Sequence, residues 1–326
     1  MKEKPTIYLL IPVYNAEEYI ARCLESIKNQ TYKNFVCVIV NDGSTDKSAE
    51  ICKKYAEDAR FILLSQENHG CWFARNTGLD YVLENAGEND FLTFADSDDT
   101  LDSHFFERFV SVLSDSENSK DTIYLSGYNE VFPQKTIVHN IEQQDAIISG
   151  NFREDFEKID QFMQTIWANF YSISLIREKN LKFDSTMRRS GDIFFNFSYA
   201  YYVKNYVFIN ECFYNYYIVE TSISHGASSL TNESIDVQYK ALSQRIKFLT
   251  ECAIPSKDFI INKHLSNLTT RLIFTPYYKR LYELKKYANP KFTRTTGQKR
   301  VIFCLRHNLL WVYRIYMKGK SLFRKS

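Results

Sequence analysis

Glycine is scarce in this chain, with 10 among 326 residues, and none falls in the G-x-G-x-x-G or G-x-x-x-x-G-K-[ST] arrangement that cradles phosphates. A dinucleotide-binding Rossmann loop and a P-loop are thereby excluded. The seven cysteines are odd in number and scattered, with no C-x-x-C pair and no histidine at metal spacing, which excludes a disulfide or zinc framework. No uninterrupted apolar run is long enough to span a bilayer. Residues Met1 to Pro5 lack the apolar core of a signal peptide, so the expected location is cytosolic.

What is present suits a large globular protein. Aromatics are plentiful, with 25 Phe and 23 Tyr, and hydrophobic residues make up 44%. The length allows one large domain with an appendage, or two domains. Net charge is only +2, yet it is unevenly spread: from Tyr277 to Ser326 there are 14 Lys and Arg against the single acid Glu283, leaving 27 basic and 38 acidic residues before that point. A basic tail follows an acidic body.

Strands and helices alternate through the first hundred residues. Thr6 to Ile11 is a continuous apolar run ending at Pro12, as in a buried parallel strand. Asn15 with Glu18 resembles a capping box ahead of a helix that reaches Gln30. Phe35 to Val40 predicts a second strand, followed by turn chemistry in Asn41-Asp42-Gly43-Ser44-Thr45-Asp46 and a helix over Lys47 to Ala59. A third strand over Phe61 to Leu64, a third helix over Trp72 to Asn85 and a fourth strand over Phe91 to Phe94 complete the pattern. The alternation predicts an α/β fold with a doubly wound, mostly parallel sheet. Ligands of such sheets bind beyond the carboxyl ends of the strands. Three polar segments lie at such ends: Pro12 to Asn15, Asn41 to Asp46, and Asp96 to Asp99.

The last segment, Asp96-Ser97-Asp98-Asp99, places three carboxylates in four residues directly after a buried strand. Such a cluster is stable as anions when a cation sits among them, and oxygen ligands favour Mg²⁺ or Mn²⁺ over zinc. The plainer reading has Asp99 or Thr100 capping a helix over Leu101 to Leu113. Convergence of the three segments on one rim favours the cation site.

These residues resemble glycosyltransferase family 2, inverting enzymes with the GT-A fold. The resemblance rests on Ile11-Pro12-Val13-Tyr14-Asn15, on Asn41 to Asp46, on Asn68-His69-Gly70 leading to Ala74-Arg75-Asn76-Thr77-Gly78, and on Asp96-Ser97-Asp98-Asp99. It implies that Pro12, Tyr14 and Asn15 line a nucleotide pocket together with Ser97. It also implies that Asp42 accepts a hydrogen bond from the base, typically uracil, and that Asp96 contacts the ribose and secondarily a Mn²⁺ or Mg²⁺ ion held by Asp98. Arg75 matches the family's basic residue beside the nucleotide; its plainer role is an ion pair steadying an Ala74 to Gly78 turn.

Further along, Thr122 to Gly127 reads as a strand and Phe132-Pro-Gln as an edge hairpin. Thr165 to Ile176, Leu181 to Asp184 and Ser190-Gly191-Asp192 resemble the family's acceptor half, where a Glu-Asp pair precedes an apolar helix and the Asp is taken as catalytic base. Here Gly191 stands in place of the Glu and Asp192 is retained. Asp192 also reads as a simple cap of the helix over Ile193 to Tyr202. Tyr214 to His225 resembles the segment that closes the family's active site, with Ile218 or Val219 where an Arg is usual. His225 is a candidate to complete the metal or diphosphate site, or is merely an exposed loop histidine.

From Asn232 onward the pattern is helical, and Gln298 to Lys325 interleaves Lys and Arg with Trp311, Tyr313, Ile315 and Phe323. A basic aromatic amphipathic helix suits the anionic inner face of a cell membrane; packing on the catalytic domain or dimerisation are its rivals. Nucleic acid is not an expected partner. The expected organisation is a catalytic domain over 1–225, with a nucleotide half to about 110 and an acceptor half after it, then a helical basic extension over 226–326. Its expected activity is metal-dependent transfer of a sugar from a nucleotide sugar, a UDP-sugar by resemblance, to a hydroxyl of a glycan or lipid-linked oligosaccharide of capsule, exopolysaccharide or lipopolysaccharide type. The rivals are a catalytically idle nucleotide-sugar or carbohydrate-binding module on the same fold, and a nucleotidyltransferase. Oligomeric state is not legible.

Overall fold

The computed structural model describes residues 4–114, 119–141, 146–150, 152–187, 190–218, 232–273 and 276–322. Its first strands are those the apolar runs demand. β1 (Ile7–Val13) is buried at every position but Pro12, and parallel neighbours flank it on both edges. α1 (Ile20–Lys28) leads to β2 (Phe35–Asp42), α2 (Ser48–Tyr55) to β3 (Phe61–Gln66), and α3 (Cys71–Asn85) to β4 (Phe91–Phe94). α3 presses directly on the sheet. A Cβ at Gly78 would lie 2.7 Å from Leu10 Cδ1 and 3.0 Å from Val40 Cγ2, so only glycine permits this approach.

Register brings the strand ends to one rim. Val13 lies beside Asn41, Asp42 beside Gln66, and Leu10 beside Phe94. The parallel pattern stops there. After β5 (Thr100–Leu101) and α4 (Phe105–Ser114) come β6 (Thr122–Phe132), β7 (Lys135–His139), β8 (Ala146–Ser149), α5 (Phe152–Ile159), β9 (Asn169–Ser172), α6 (Ile173–Glu178), α7 (Gly191–Ala200) and β10 (Asn205–Tyr217). Sheet order is β3-β2-β1-β4-β9-β6-β10-β5, with β7 on β6 and β8 on β10. β9 enters antiparallel between β4 and β6, whereas β6 and β10 run parallel. The doubly wound parallel sheet expected from the alternation is therefore one half of a larger mixed sheet. Aromatic rings fill the second half, among them Phe109 stacked on Phe170 at 3.8 Å.

The chain divides into two compact units, 1–155 with 159–226, and 156–158 with 227–326. The second is built from α8 (Asn232–Glu251), α9 (Lys257–Leu272), a 3-10 segment over Pro276–Tyr287, α10 (Thr296–Arg306) and α11 (Leu310–Leu322). α9 buries Ile260, Leu265, Leu268 and Leu272. α10 begins with a complete capping box, in which Thr295 and Gln298 satisfy each other's backbone groups. The single amphipathic helix expected over Gln298 to Lys325 is thus two helices, broken where Asn308 takes a left-handed conformation at φ 59°. Among the described residues no helix is long and apolar enough to cross a membrane.

Candidate active site

The rim is laced together by loop side chains. Asn15 does not cap α1; it sits at φ 47°, where its Oδ1 accepts from Thr45 N at 2.8 Å and its own N–H donates to Ser44 Oγ at 3.1 Å. The β1 and β2 loops are thereby joined, and Tyr14 beside it is 52% exposed. Asp42, buried at the end of β2, gathers the next loop. Its Oδ1 accepts from Gln66 Nε2 at 2.7 Å and His69 N at 3.0 Å, and its Oδ2 from Gly70 N at 2.9 Å. Gly43 is required here: at φ 70°, its Cβ would lie 2.7 Å from Asn68 N.

Arg75 lies in α3, not in a turn, and is only 3% exposed. Its Nη2 donates to Asp96 Oδ1 at 2.5 Å and its Nη1 to Cys71 Sγ at 2.7 Å. The acidic loop is buttressed from β10. Tyr214 OH donates to Asp99 Oδ2 at 2.6 Å and accepts from Asp96 N at 3.1 Å, while Tyr217 N donates to Asp99 Oδ1 at 2.9 Å. Asp99 is fully buried and so braces this loop from below; neither it nor Thr100 caps a helix, because Thr100 and Leu101 form a strand and α4 starts only at Phe105. Burial, then the charges of Asp96 and Asp98, push the Asp99 carboxyl well up. Asp98 is partly exposed, and burial followed by the Asp96 charge pushes it up to about 6. Ser97 is partly exposed between them. Arg22 of α1 reaches the same loop, donating to Asp98 O at 2.6 Å while its guanidinium lies 3.7 Å over the Tyr217 ring.

Asp192 comes to this rim from roughly a hundred residues away. It lies in the first turn of α7, after Ser190 at φ 65°, and its Oδ1 accepts from Ile193 N at 2.9 Å. It is not the cap residue. Burial raises its carboxyl to about 6, Arg75 opposes that rise and Asp96 adds to it, so the Arg75–Asp96 pair and Asp192 share one electrostatic neighbourhood. Gly191 finds its explanation here. A Cβ at this position would meet the Trp72 indole at 2.6 Å, which leaves no room for the glutamate that the resemblance leads one to expect. His225 lies outside the described residues.

Comparison with known proteins decides what such a rim belongs to. The profile described as Glycosyl transferase family 2 matches residues 8–200. The chain belongs to glycosyltransferase family 2. Glycosyltransferase GlyA of Streptococcus pneumoniae is 31% identical over 278 residues, covering 80% of this chain and 36% of that protein. The teichoic acid poly(glycerol phosphate) polymerase of Staphylococcus epidermidis is 29% identical over 271 residues, covering 78% of this chain and 34% of that protein. The chain thus spans about a third of the length of these two relatives. Among solved structures, S. aureus TarS 1-349 in complex with UDP-GlcNAc matches at a TM-score of 0.72 and 18% identity, covering 96% of this chain and 92% of that one. The fold is accordingly of GT-A type.

In this family 2 chain, several contacts of the site carry no local signature. The Asp99–Tyr214 bond arises through the β10 pairing with β5, Arg22 meets Asp98 and Tyr217, and Trp72 meets Gly191, each far along the chain. Among the described residues no group of three or more His, Cys, Asp or Glu gathers to hold a metal. Two carboxylates are available, Asp98 and the second oxygen of Asp96. That set fits a hard divalent cation of the kind completed by substrate phosphates and water.

Proposed function

We propose that the protein is an inverting, metal-dependent glycosyltransferase that moves a sugar from a UDP-sugar to a hydroxyl of a glycan or lipid-linked oligosaccharide acceptor in cell-surface polysaccharide synthesis. The observation that carries this reading is the shared neighbourhood of Asp192 and the Arg75–Asp96 pair, beside a second carboxyl, Asp98, raised to about 6. The UDP-GlcNAc in the TarS complex and the teichoic acid polymerase relationship support the donor class and the surface-glycan setting.

Each residue has a task in this reading. Pro12, Tyr14 and Asn15 form one wall for the nucleotide, and Asp42 meets the base at the end of β2. Asp96 serves the ribose and, with Asp98, holds Mn²⁺ or Mg²⁺. Bound there, the cation supplies stabilisation of the charge on the departing diphosphate, worth several kcal/mol. Arg75, itself buried, keeps Asp96 oriented through an ion pair at 2.5 Å. Asp192 takes the proton from the acceptor hydroxyl on the opposite face of the sugar. A carboxyl near 6 is suited to this task, being anionic at neutral pH and still basic enough to accept a proton.

The basic C-terminal region is proposed to rest on an anionic membrane surface. Trp311, Val312, Ile315 and Tyr316 are exposed on α11 at spacings that place them along one stripe, and Phe303 is exposed on α10. The surrounding sequence is strongly basic, which complements anionic lipid.

The decisive experiment incubates the protein with a panel of nucleotide sugars and Mn²⁺ and follows free nucleoside diphosphate. Release of UDP from one donor, dependent on the metal, is the expected result. Absence of both release and binding across the panel would overturn the proposal.

A further inference from the structure

We infer that Trp72 is a positioning residue that sets Asp192 against the Arg75–Asp96 pair, and that Gly191 is the complementary surface it requires. This rests on the reading of Asp192 as the base. Trp72 and Arg75 are three residues apart on α3 and therefore lie on neighbouring positions of one face. The Arg75 guanidinium lies 4.9 Å from the Trp72 ring centroid, so the indole touches the residue that holds Asp96. On α7, a Cβ at Gly191 would lie 2.6 Å from Trp72 Cδ2, 2.7 Å from Cε2 and 3.0 Å from Cε3, so the backbone immediately before Asp192 rests on the same indole.

The indole is itself held. It stacks on Phe183 at 5.8 Å, and Phe183 stacks on Phe195 of α7 at 4.4 Å. Phe183 is fixed to α3 by two hydrogen bonds of 2.9 Å, Asn76 Nδ2 to Phe183 O and Phe183 N to Asn76 Oδ1. α7 is thus gripped at Gly191 and again at Phe195, on either side of Asp192, by a frame that belongs to the Arg75 helix. Displacement of a reacting group by about 1 Å is enough to lose on the order of 10² in rate, so the frame governs turnover more than donor binding.

The test uses the full chain with saturating Mn²⁺. UDP is the binding probe, and turnover is UDP release from the panel donor with the largest wild-type signal. Gly191→Ala is expected to lower kcat at least tenfold with UDP affinity changed less than threefold. Trp72→Leu lowers kcat as well, Trp72→Phe retains more of it, and Trp72→Leu with Gly191→Ala loses less than the product of the single losses because the clash is gone. If Gly191→Ala does not fold, Trp72→Leu, which opens space, carries the test through the same split between kcat and UDP affinity. Multiplicative losses, or equal losses of kcat and UDP affinity, overturn the inference. Asp192→Asn run in parallel separates the two ideas: an inactive Asp192→Asn beside multiplicative losses leaves the base standing and removes the frame, whereas an active Asp192→Asn removes both.

Discussion

The rim at the strand ends and the segment that carries Asp192 are built by different means. At the rim, short polar loops follow buried parallel strands, and their side chains bond to backbone groups of the adjacent loop, as Asp42 does with His69 N and Gly70 N. At α7, Asp192 accepts from Ile193 N of its own helix, and Trp72, Phe183 and Phe195 pack ring against ring beside it. A hydrogen-bonded loop positions a ligand group almost locally. A packed aromatic frame positions one through contacts distant in sequence.

The comparison is most sharply tested by Asp192→Asn. Loss of turnover by about 10²- to 10⁴-fold with unchanged UDP binding is expected, measured by product release and calorimetry; retention of more than a tenth of wild-type turnover would contradict the division of labour. The pH profile is the next largest effect. The base proposed for the reaction works as an anion and the Asp192 carboxyl lies near 6, so under that proposal kcat at saturating Mn²⁺ is expected to level off above about 7 and fall about tenfold per pH unit well below 6. Stability runs the other way. Asp98 and Asp192 are raised above the unfolded carboxylate value, so the native state binds more protons between about 4 and 6. In the absence of metal, these two groups therefore favour the folded state increasingly as pH falls through that window, which thermal melts in chelator would show.

Tyr214→Phe tests the buttress beneath the acidic loop. It removes the hydroxyl that donates to Asp99 and accepts from Asp96 N, and leaves Asp99 with the Tyr217 N–H, so a loss of roughly 1–3 kcal/mol in unfolding free energy is expected from denaturant titration. Ile315→Ala on the exposed stripe of α11 should leave both stability and turnover of a soluble acceptor almost unchanged. It should weaken sedimentation with anionic vesicles several-fold, and unchanged sedimentation would count against the membrane proposal.

The rim is largely legible in the sequence. Apolar runs that end in Pro12, Asn41 and Ala95 state where buried strands stop, and polar residues just beyond them have only the sheet's edge to occupy. What misled was local capping logic. Asn15 and Asp99 both have the chemistry of helix caps, yet Asn15 is taken by Thr45 and Asp99 by Tyr214 and Tyr217, because a partner from another loop or strand outcompetes the first turn of the nearest helix. The break at Asn308 likewise escaped a reading based on periodicity, since one left-handed residue interrupts a helix without interrupting its apolar pattern.

The amino-acid sequence by itself determined that strands and helices alternate, that carboxylates crowd after the fourth strand, and that an apolar helix lies at Asp192. Those are consequences of burial and periodicity over a few residues. Only the tertiary structure decided that β9 enters antiparallel, that Arg75 holds Asp96 while feeling Asp192, and that Gly191 makes way for Trp72. Each of these depends on which surfaces meet between segments well separated in the chain, and shape complementarity of that kind is written in no single stretch of chain.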